Sequence, residues 1–177
     1  RKSREHIRFV LGGNFTYVVS RIDMNKVETK VGGVTMTEKE VRQANARQGE
    51  VIGNYRTMYG QSPYIINAFA NFSNDSLALS CNVSYNVQGK KLAVIGVGGV
   101  PDVFEQPFHS LNLKVSKGFG KTHKGESAPR WTGSITGTNL LNQARRRWYE
   151  SFNADAQVFD YLHKGMTVSA AISYTLK

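Results

Sequence analysis

A strict two-residue period in the last stretch of the chain constrains its fold more than any other feature. In residues 165–177 (GMTVSAAISYTLK), every second side chain from Met166 to Leu176 is apolar, and the side chains between them are small and mostly polar. Successive side chains of a β-strand point to opposite faces, so the alternation predicts a strand with an apolar face and a small polar face. Such a strand needs an apolar environment on one side and a polar environment on the other.

The same alternation recurs in five earlier segments. It predicts further strands over residues 6–22, 64–72, 77–87, 108–119 and 131–141. A tight polar turn over residues 73–76 joins two of them into a hairpin, because all four of its residues are turn formers. The chain is therefore predicted to be all-β, with about six strands.

Longer connections alternate with the short turns. Residues 25–62, 89–107 and 145–164 carry little strand signal, whereas residues 37–48 predict a short helix that begins with a capping box between Thr37 and Glu40. Asn139 shares the face of Trp131, which predicts a bulge or a rim position there. Long connections at one rim and short turns at the other are typical of outer-membrane barrels.

The composition of the two faces indicates which of them meets water. A soluble sandwich would carry Lys, Glu and Arg on its polar faces, but here those faces hold mostly Ser, Thr, Asn, Gly and Ala. Small neutral residues suit a crowded, wet barrel interior, and the apolar faces would then meet lipid. The residues predicted to face lipid are Leu77, Leu79, Val83, Leu111, Leu113, Val115, Val168, Ile172 and Leu176.

Aromatic residues are predicted to form two girdles. Tyr64 and Phe72 lie eight positions apart on one apolar face, which is roughly 26 Å along a strand. A tilt of about 40° reduces this to about 20 Å of height, comparable with the apolar band of such barrels. The predicted girdle residues are Tyr17, Tyr64, Phe72, Tyr85, Phe119, Trp131 and Tyr174. The competing interpretation is that they are core aromatics of a β-sandwich.

Six strands are too few to close a membrane barrel, since eight is the usual minimum and an open edge is not tolerated in lipid. We therefore expect an antiparallel transmembrane β-barrel of which residues 1–177 form the last six strands, within one domain, with the other strands before Arg1.

The net charge of +10, from 23 Lys and Arg against 13 Asp and Glu, leaves a second function class open. A soluble all-β module of this charge would suit nucleic acid or an acidic glycan. The basic residues are scattered, however, which favours solvated loops and no nucleic-acid partner. The densest basic group lies beside a tryptophan, in Arg145, Arg146, Arg147 and Trp148. It predicts either a contact for ligand or lipopolysaccharide phosphates at the outer rim or simply a charged rim.

Catalytic and metal chemistry have little support in the sequence. The four histidines are isolated and lack the spacing of metal ligands: His6, His109, His123 and His163. The glycine-rich segment 96–99 matches no phosphate-binding motif. We expect no enzyme activity, no cofactor and no metal.

Four runs resemble the C-terminal barrel strands of the TonB-dependent receptors of Bacteroidetes-type bacteria. They are GQSPYIINAFANF (60–72), SLALSCNVSYNVQGKKL (76–92), GGVPDVFEQPFHSLNLKVSKGFGK (98–121) and TNLLNQ (138–143). The resemblance rests on their order and spacing and covers essentially the whole chain.

This resemblance implies a barrel of twenty-two strands in the bacterial outer membrane, in contact with lipid and lipopolysaccharide. It further implies an upstream plug domain that engages TonB, a surface lipoprotein as a partner, and energised uptake of a glycan, peptide or metal chelate. A structural or secretion-associated outer-membrane barrel remains the alternative within the membrane class.

Overall fold

The computed structural model describes residues 7–120 and 129–176, and within them the chain is all-β with antiparallel sheets and one short helix. In chain order, its elements are β1 (Ile7–Tyr17), β2 (Arg21–Asp23), β3 (Glu28–Val31), β4 (Val34–Thr37), α1 (Glu38–Ala44), β5 (Tyr55–Thr57), β6 (Tyr64–Asn74), β7 (Leu79–Gln88), β8 (Lys91–Val94), β9 (Asp102–Glu105), β10 (Phe108–Phe119), β11 (Trp131–Thr138), β12 (Arg145–Glu150), β13 (Gln157–Leu162) and β14 (Thr167–Tyr174).

The long strands form one six-stranded antiparallel sheet, the main sheet, in the order β1-β6-β7-β10-β11-β14. Each strand pairs with the next long strand along the chain, so the topology is a simple meander. Within the described residues, β1 and β14 each pair on one side only, and the sheet does not close on itself.

The register confirms that the alternation of all six strands is in phase. One apolar row of opposing residues crosses the whole sheet: Phe9, Phe72, Cys81, Val115, Ile135 and Ala170. The neighbouring row lies on the other face and is mostly polar: Val10, Asn71, Asn82, Lys114, Thr136 and Ser169. Because directly opposed residues share a face, one face is mostly apolar and the other is mostly polar.

The long connections extend the hairpins of the main sheet beyond one of its ends. β2 and β5, which pair with each other, follow β1 and precede β6. A second sheet has the order β13-β12-β9-β8, in which each strand is the chain neighbour of β14, β11, β10 and β7, respectively. A bridge from Tyr59 to Leu92 links the two groups. We call β2, β5, β8, β9, β12 and β13 the rim wall.

The buried core lies mostly in the long connections, around the rim wall, and not against the main sheet. The buried apolar residues of the described chain are Met24, Val41, Leu92, Val103 and Ala144 in the long connections, and Val87 near the end of β7. In contrast, Phe9, Ile135 and Ile172 on the apolar face of the main sheet are 63%, 58% and 78% exposed. The main sheet is therefore a single layer whose apolar face is uncovered.

No helix in the described part of the chain is long and apolar enough to cross a membrane.

The expectation that the long connections carry little strand structure was wrong. They hold seven short strands within the described residues. Five of them continue the ladders of the hairpins from which they emerge, and β3 and β4 pair with each other. The helix and its capping box are confirmed, with the Thr37 hydroxyl accepting from the Glu40 N–H at 3.2 Å. The helix ends at Ala44, earlier than residue 48.

Several strand boundaries also differ from the prediction. β1 ends at Tyr17, because Val18 N–H donates to the carbonyl of Pro63 at 2.9 Å but proline has no N–H to return the bond. β11 ends at Thr138, and Asn139 adopts a positive φ of 52° at the rim. The predictions for residues 1–6, 121–128 and 177, which include His6 and His123, lie outside the described residues.

Candidate functional site

The residues predicted to face lipid lie almost entirely on the apolar face of the main sheet. Leu79, Val83, Leu111, Leu113, Val115, Val168 and Ile172 occupy it, and Leu176 follows the end of β14 with 85% of its surface exposed.

Leu77 is the exception, since it lies in the turn between β6 and β7 and not in a strand. β6 continues to Asn74, whose side-chain oxygen accepts from the Leu77 N–H at 3.0 Å. The turn therefore comprises residues 75–78, two positions later than the sequence predicted, with Ala78 at a positive φ of 47°. Asparagine favours such turns because its side chain hydrogen-bonds the backbone that follows.

The predicted girdle residues form two bands on the apolar face. Phe119, Trp131 and Tyr174 lie opposite one another on three adjacent strands, and the ring centroids of Trp131 and Tyr174 are 4.7 Å apart. Phe72 lies near the same end of β6, opposite Phe9. This first band borders the end with the short turns.

The second band borders the rim wall. Tyr17 lies directly opposite Tyr64, and the Tyr64 ring covers Gly89, where an added Cβ would lie 2.6 Å from the ring. Tyr85 lies further inside the sheet, and its hydroxyl is 2.6 Å from Nδ1 of His109. Two aromatic bands at opposite ends of an exposed apolar surface suit an apolar layer bounded by two polar interfaces.

The polar face carries asparagine ladders that sequence reasoning did not single out. Asn67 donates its side-chain amide to Asn14 at 2.7 Å and accepts from Asn86, while Asn82 donates to Asn71. The alternation of asparagines was visible in the sequence, but only the register aligns them across strands. These ladders fill much of the hydrogen-bonding capacity of the amides within the sheet itself.

An ion network links the first long connection, between β1 and β6, to the second, between β7 and β10. Arg42 of α1 donates to both carboxylate oxygens of Asp102 on β9, at 3.0 and 2.8 Å, and to Glu38 at 3.0 Å. Arg56 donates to the same oxygen of Glu38 at 2.6 Å, and the Gly96 N–H donates to Asp102 at 2.8 Å. Burial alone would lower the pKa of Arg42, but the hydrogen bonds and charges of Asp102 and Glu38 raise it above the ordinary value.

Two polar side chains fix the bends between the main sheet and the rim wall. Ser62, which is buried, donates to the carbonyl of Gly89 at 2.8 Å and so joins the start of β6 to the end of β7. Asn139 donates to the carbonyls of Gln143 and Gly165, at 3.1 and 3.0 Å, and so joins the end of β11 to the start of β14. Both residues belong to runs that carry the family resemblance.

The three arginines of the predicted outer-rim contact lie in β12, where Arg145 and Arg147 share one side of the strand and Arg146 lies on the other. Each guanidinium lies over a different aromatic ring: Arg145 over Phe108, Arg146 over Tyr161 and Arg147 over Phe159, at 5.2, 5.8 and 5.8 Å. Arg147 also pairs with Asp160, and Arg145 lies 3.7 Å from Glu105.

Trp148 lies among apolar neighbours, opposite Phe104 and Val158 in the rim wall. Its buried indole N–H has no hydrogen-bond partner among the described residues.

No group of three His, Cys, Asp or Glu side chains within residues 7–120 and 129–176 is arranged to hold a metal ion. His109 contacts Tyr85, and His163 contacts Asn142 with its Nε2 3.0 Å from the side-chain oxygen.

No protein-family model, curated protein or solved structure matches the chain in comparison searches.

Proposed function

We propose that the chain forms six strands of a larger transmembrane β-barrel in a bacterial outer membrane, as part of a TonB-dependent transporter. The apolar face of the main sheet contacts acyl chains, the polar face lines the barrel interior, and the rim wall extends outward from the membrane. Further strands pair with the free edges of β1 and β14, since open edges are not tolerated in lipid.

The observation that carries this proposal is the amount of uncovered surface. The chain exposes 12664 Å², whereas a compact monomer of 19.7 kDa exposes roughly 8,600 Å². The apolar face of the main sheet contributes to this excess, as the exposure of Phe15, Val168 and Ile172 illustrates, at 65%, 61% and 78%. A soluble binding module would have to leave this face in water, which opposes the soluble alternative.

The arrangement of the bands gives further support. Between the two aromatic bands, the apolar face spans about 20 Å along the proposed membrane normal, at ~3.3 Å per residue and a tilt of about 40°. Lys117 lies on this face near the short turns, and its ammonium reaches the carbonyl of Leu77. A long cationic side chain at that height can reach an aqueous interface.

A spin-label scan of β10 in lipid vesicles tests the membrane part of the proposal. Cys81 is first replaced by serine, and single cysteines then carry nitroxides at successive positions 110–116. We expect oxygen, which concentrates in lipid, to relax labels at odd positions, and a water-soluble nickel chelate to relax labels at even positions. Equal nickel accessibility at odd and even positions would show that both faces meet water and would overturn the proposal.

The transport part rests on the order and spacing of the four resembling runs, and the rim wall supports it as an outer surface on which a large ligand can be held. The reading frame upstream of the Arg1 codon tests it. We expect further alternating strands preceded by a plug domain and a segment that engages TonB. A stop codon close upstream, with neither of these, contradicts the transporter and leaves a structural barrel component as the function.

A further inference from the structure

A trough of about 420 Å³ lies where the chain passes from β1 into the rim wall. Its lining brings Tyr17, Val18 and Val19 together with Phe104 of the rim wall. Tyr17 and Val19 are 66% and 62% exposed, so apolar surface remains available to an occupant. The volume falls in the range of pockets that bind small molecules.

Cationic side chains share this lining. Arg21, Lys90 and Lys91 border the trough, and among the described residues no acidic side chain does. Lys90 pairs with Glu150 and also lies over the Phe104 ring, 4.7 Å from its centroid. An anion placed here would therefore meet positive charge beside an apolar wall.

The charges around the trough do not cancel. Lys91 lies 3.6 Å from Glu105, but that carboxylate is shared with Arg145 at 3.7 Å. The guanidinium of Arg21 has no ion pair with any carboxylate in the described part of the chain. Charge complementarity thus favours an anionic occupant, while the walls favour an apolar one.

The trough begins where the exposed apolar face of β1 ends. Tyr17 is the last residue of that strand and belongs both to the second aromatic band and to the trough wall. At the boundary of an apolar layer, a molecule with an acyl chain and a phosphate can place the chain against Val18 and Val19 and the phosphate near Arg21. A free phosphate would leave the apolar walls in water, and a neutral lipid would leave the cations unused.

We propose that this trough binds a phosphorylated lipid, with Arg21, Lys90 and Lys91 at the phosphate and the residues 17–19 at the acyl chain. The proposal rests on the membrane location given under Proposed function. It assigns the phosphate contact to the trough and not to the arginines of β12, whose guanidinium groups each cover a separate ring.

Lipid binding to the purified full chain in neutral detergent tests the assignment, with native mass spectrometry counting the bound lipid. The probes are dihexanoyl phosphatidic acid, dihexanoyl phosphatidylcholine and inorganic phosphate. We expect phosphatidic acid to bind about tenfold more tightly than phosphatidylcholine, and inorganic phosphate at equal concentration not to displace it. The preference should weaken at high salt, because screening acts on exposed charges.

Three variants sharpen the test. We expect Arg21→Gln to weaken phosphatidic acid binding about fivefold to tenfold, as loss of a charge-assisted contact does. Val19→Glu places a negative charge, which repels the lipid phosphate, in the apolar lining of the trough. This variant should lose the preference for phosphatidic acid over phosphatidylcholine. Arg8→Gln is the matched control, because it removes an exposed guanidinium at the opposite end of β1, where Arg8 lies opposite Ser73, and binding should change less than twofold.

Three results would overturn the lipid site: equal affinity for the two lipids, displacement by inorganic phosphate, or equal losses in Arg21→Gln and Arg8→Gln. These outcomes are separable from failure of the membrane location. If the β10 labels alternate but phosphatidic acid is not preferred, the trough assignment fails alone. If the labels do not alternate, the membrane location fails, whatever the lipid preference.

Discussion

Replacement of Arg42 by methionine removes the side chain through which helix α1 is bound to β9. The apolar stem is largely retained, while both hydrogen bonds to Asp102 and the bond to Glu38 are lost. The helix has only seven residues, and isolated helices of that length are not stable in water. We therefore expect the first long connection to open locally while the main sheet stays intact.

The magnitude follows from the burial of the network. The side chains of Arg42, Asp102 and Glu38 are 21%, 14% and 12% exposed. Breaking a fully buried ion pair costs about 3–5 kcal/mol, whereas an exposed pair contributes about 0–1 kcal/mol. Because Asp102 keeps its bond from the Gly96 N–H and Glu38 keeps its bond from Arg56, the cost should lie between these two ranges, at about 2–3 kcal/mol.

Amide hydrogen exchange of α1 measures this opening directly. A loss of about 2–3 kcal/mol corresponds to exchange that is about 30- to 160-fold faster. Lys26→Met is the control in the same connection, because Lys26 is 83% exposed and 3.9 Å from Asp23, and it should change exchange less than about twofold. If amide exchange in α1 accelerates less than threefold in Arg42→Met, or accelerates equally in the control, the ion network does not hold this connection in place.

Three further predictions concern other parts of the chain. The backbone N–H of the N-cap residue Thr37 holds the pKa of Glu40 below its ordinary value. The ionised Glu40 therefore stabilises α1 fully above the ordinary glutamate pKa, and this contribution is lost as pH falls through the lowered pKa. Amide exchange of α1 should accelerate in acid, and this acceleration should be smaller in Glu40→Gln. Asn86→Ala removes the amide that donates to Asn67 and should lower the free energy of unfolding by about 1 kcal/mol in urea titration in lipid; no change would mean that water replaces the bond. Val115→Lys, midway between the aromatic bands, should cost about 2–4 kcal/mol in the same titration, while Ser116→Lys on the opposite face should cost little; equal costs would contradict a lipid-facing surface.

The strands of the main sheet could be predicted from the sequence because their alternation of apolar and polar residues is a local pattern. A period of two persists over eight to twelve residues in each strand, and the face of every side chain follows from its position alone. The capping box of α1 was readable for the same reason, since Thr37 and Glu40 are three residues apart. The turn after β6 was misplaced because the side chain of Asn74, and not composition, decides which residues it includes.

The strands of the rim wall could not be predicted from the sequence, because they are short and form only by pairing with strands from other segments. β8 and β9 have four residues each, too few for a period to emerge, and β9 is held between β8 and β12 from another connection. Arg42 and Asp102 are sixty residues apart, so nothing local connects them. The trough likewise combines residues from four separate segments of the chain.

The sequence by itself determined the alternation of the six long strands, the character of their two faces and the short helix, because each depends on residues a few positions apart. Only the tertiary structure decided the register that aligns Asn14, Asn67 and Asn86, the sheet order, and the second sheet built from the long connections. It also decided that the core lies at the rim and leaves the apolar face of the main sheet uncovered. These features depend on hydrogen bonds and contacts between distant segments, which no local pattern encodes.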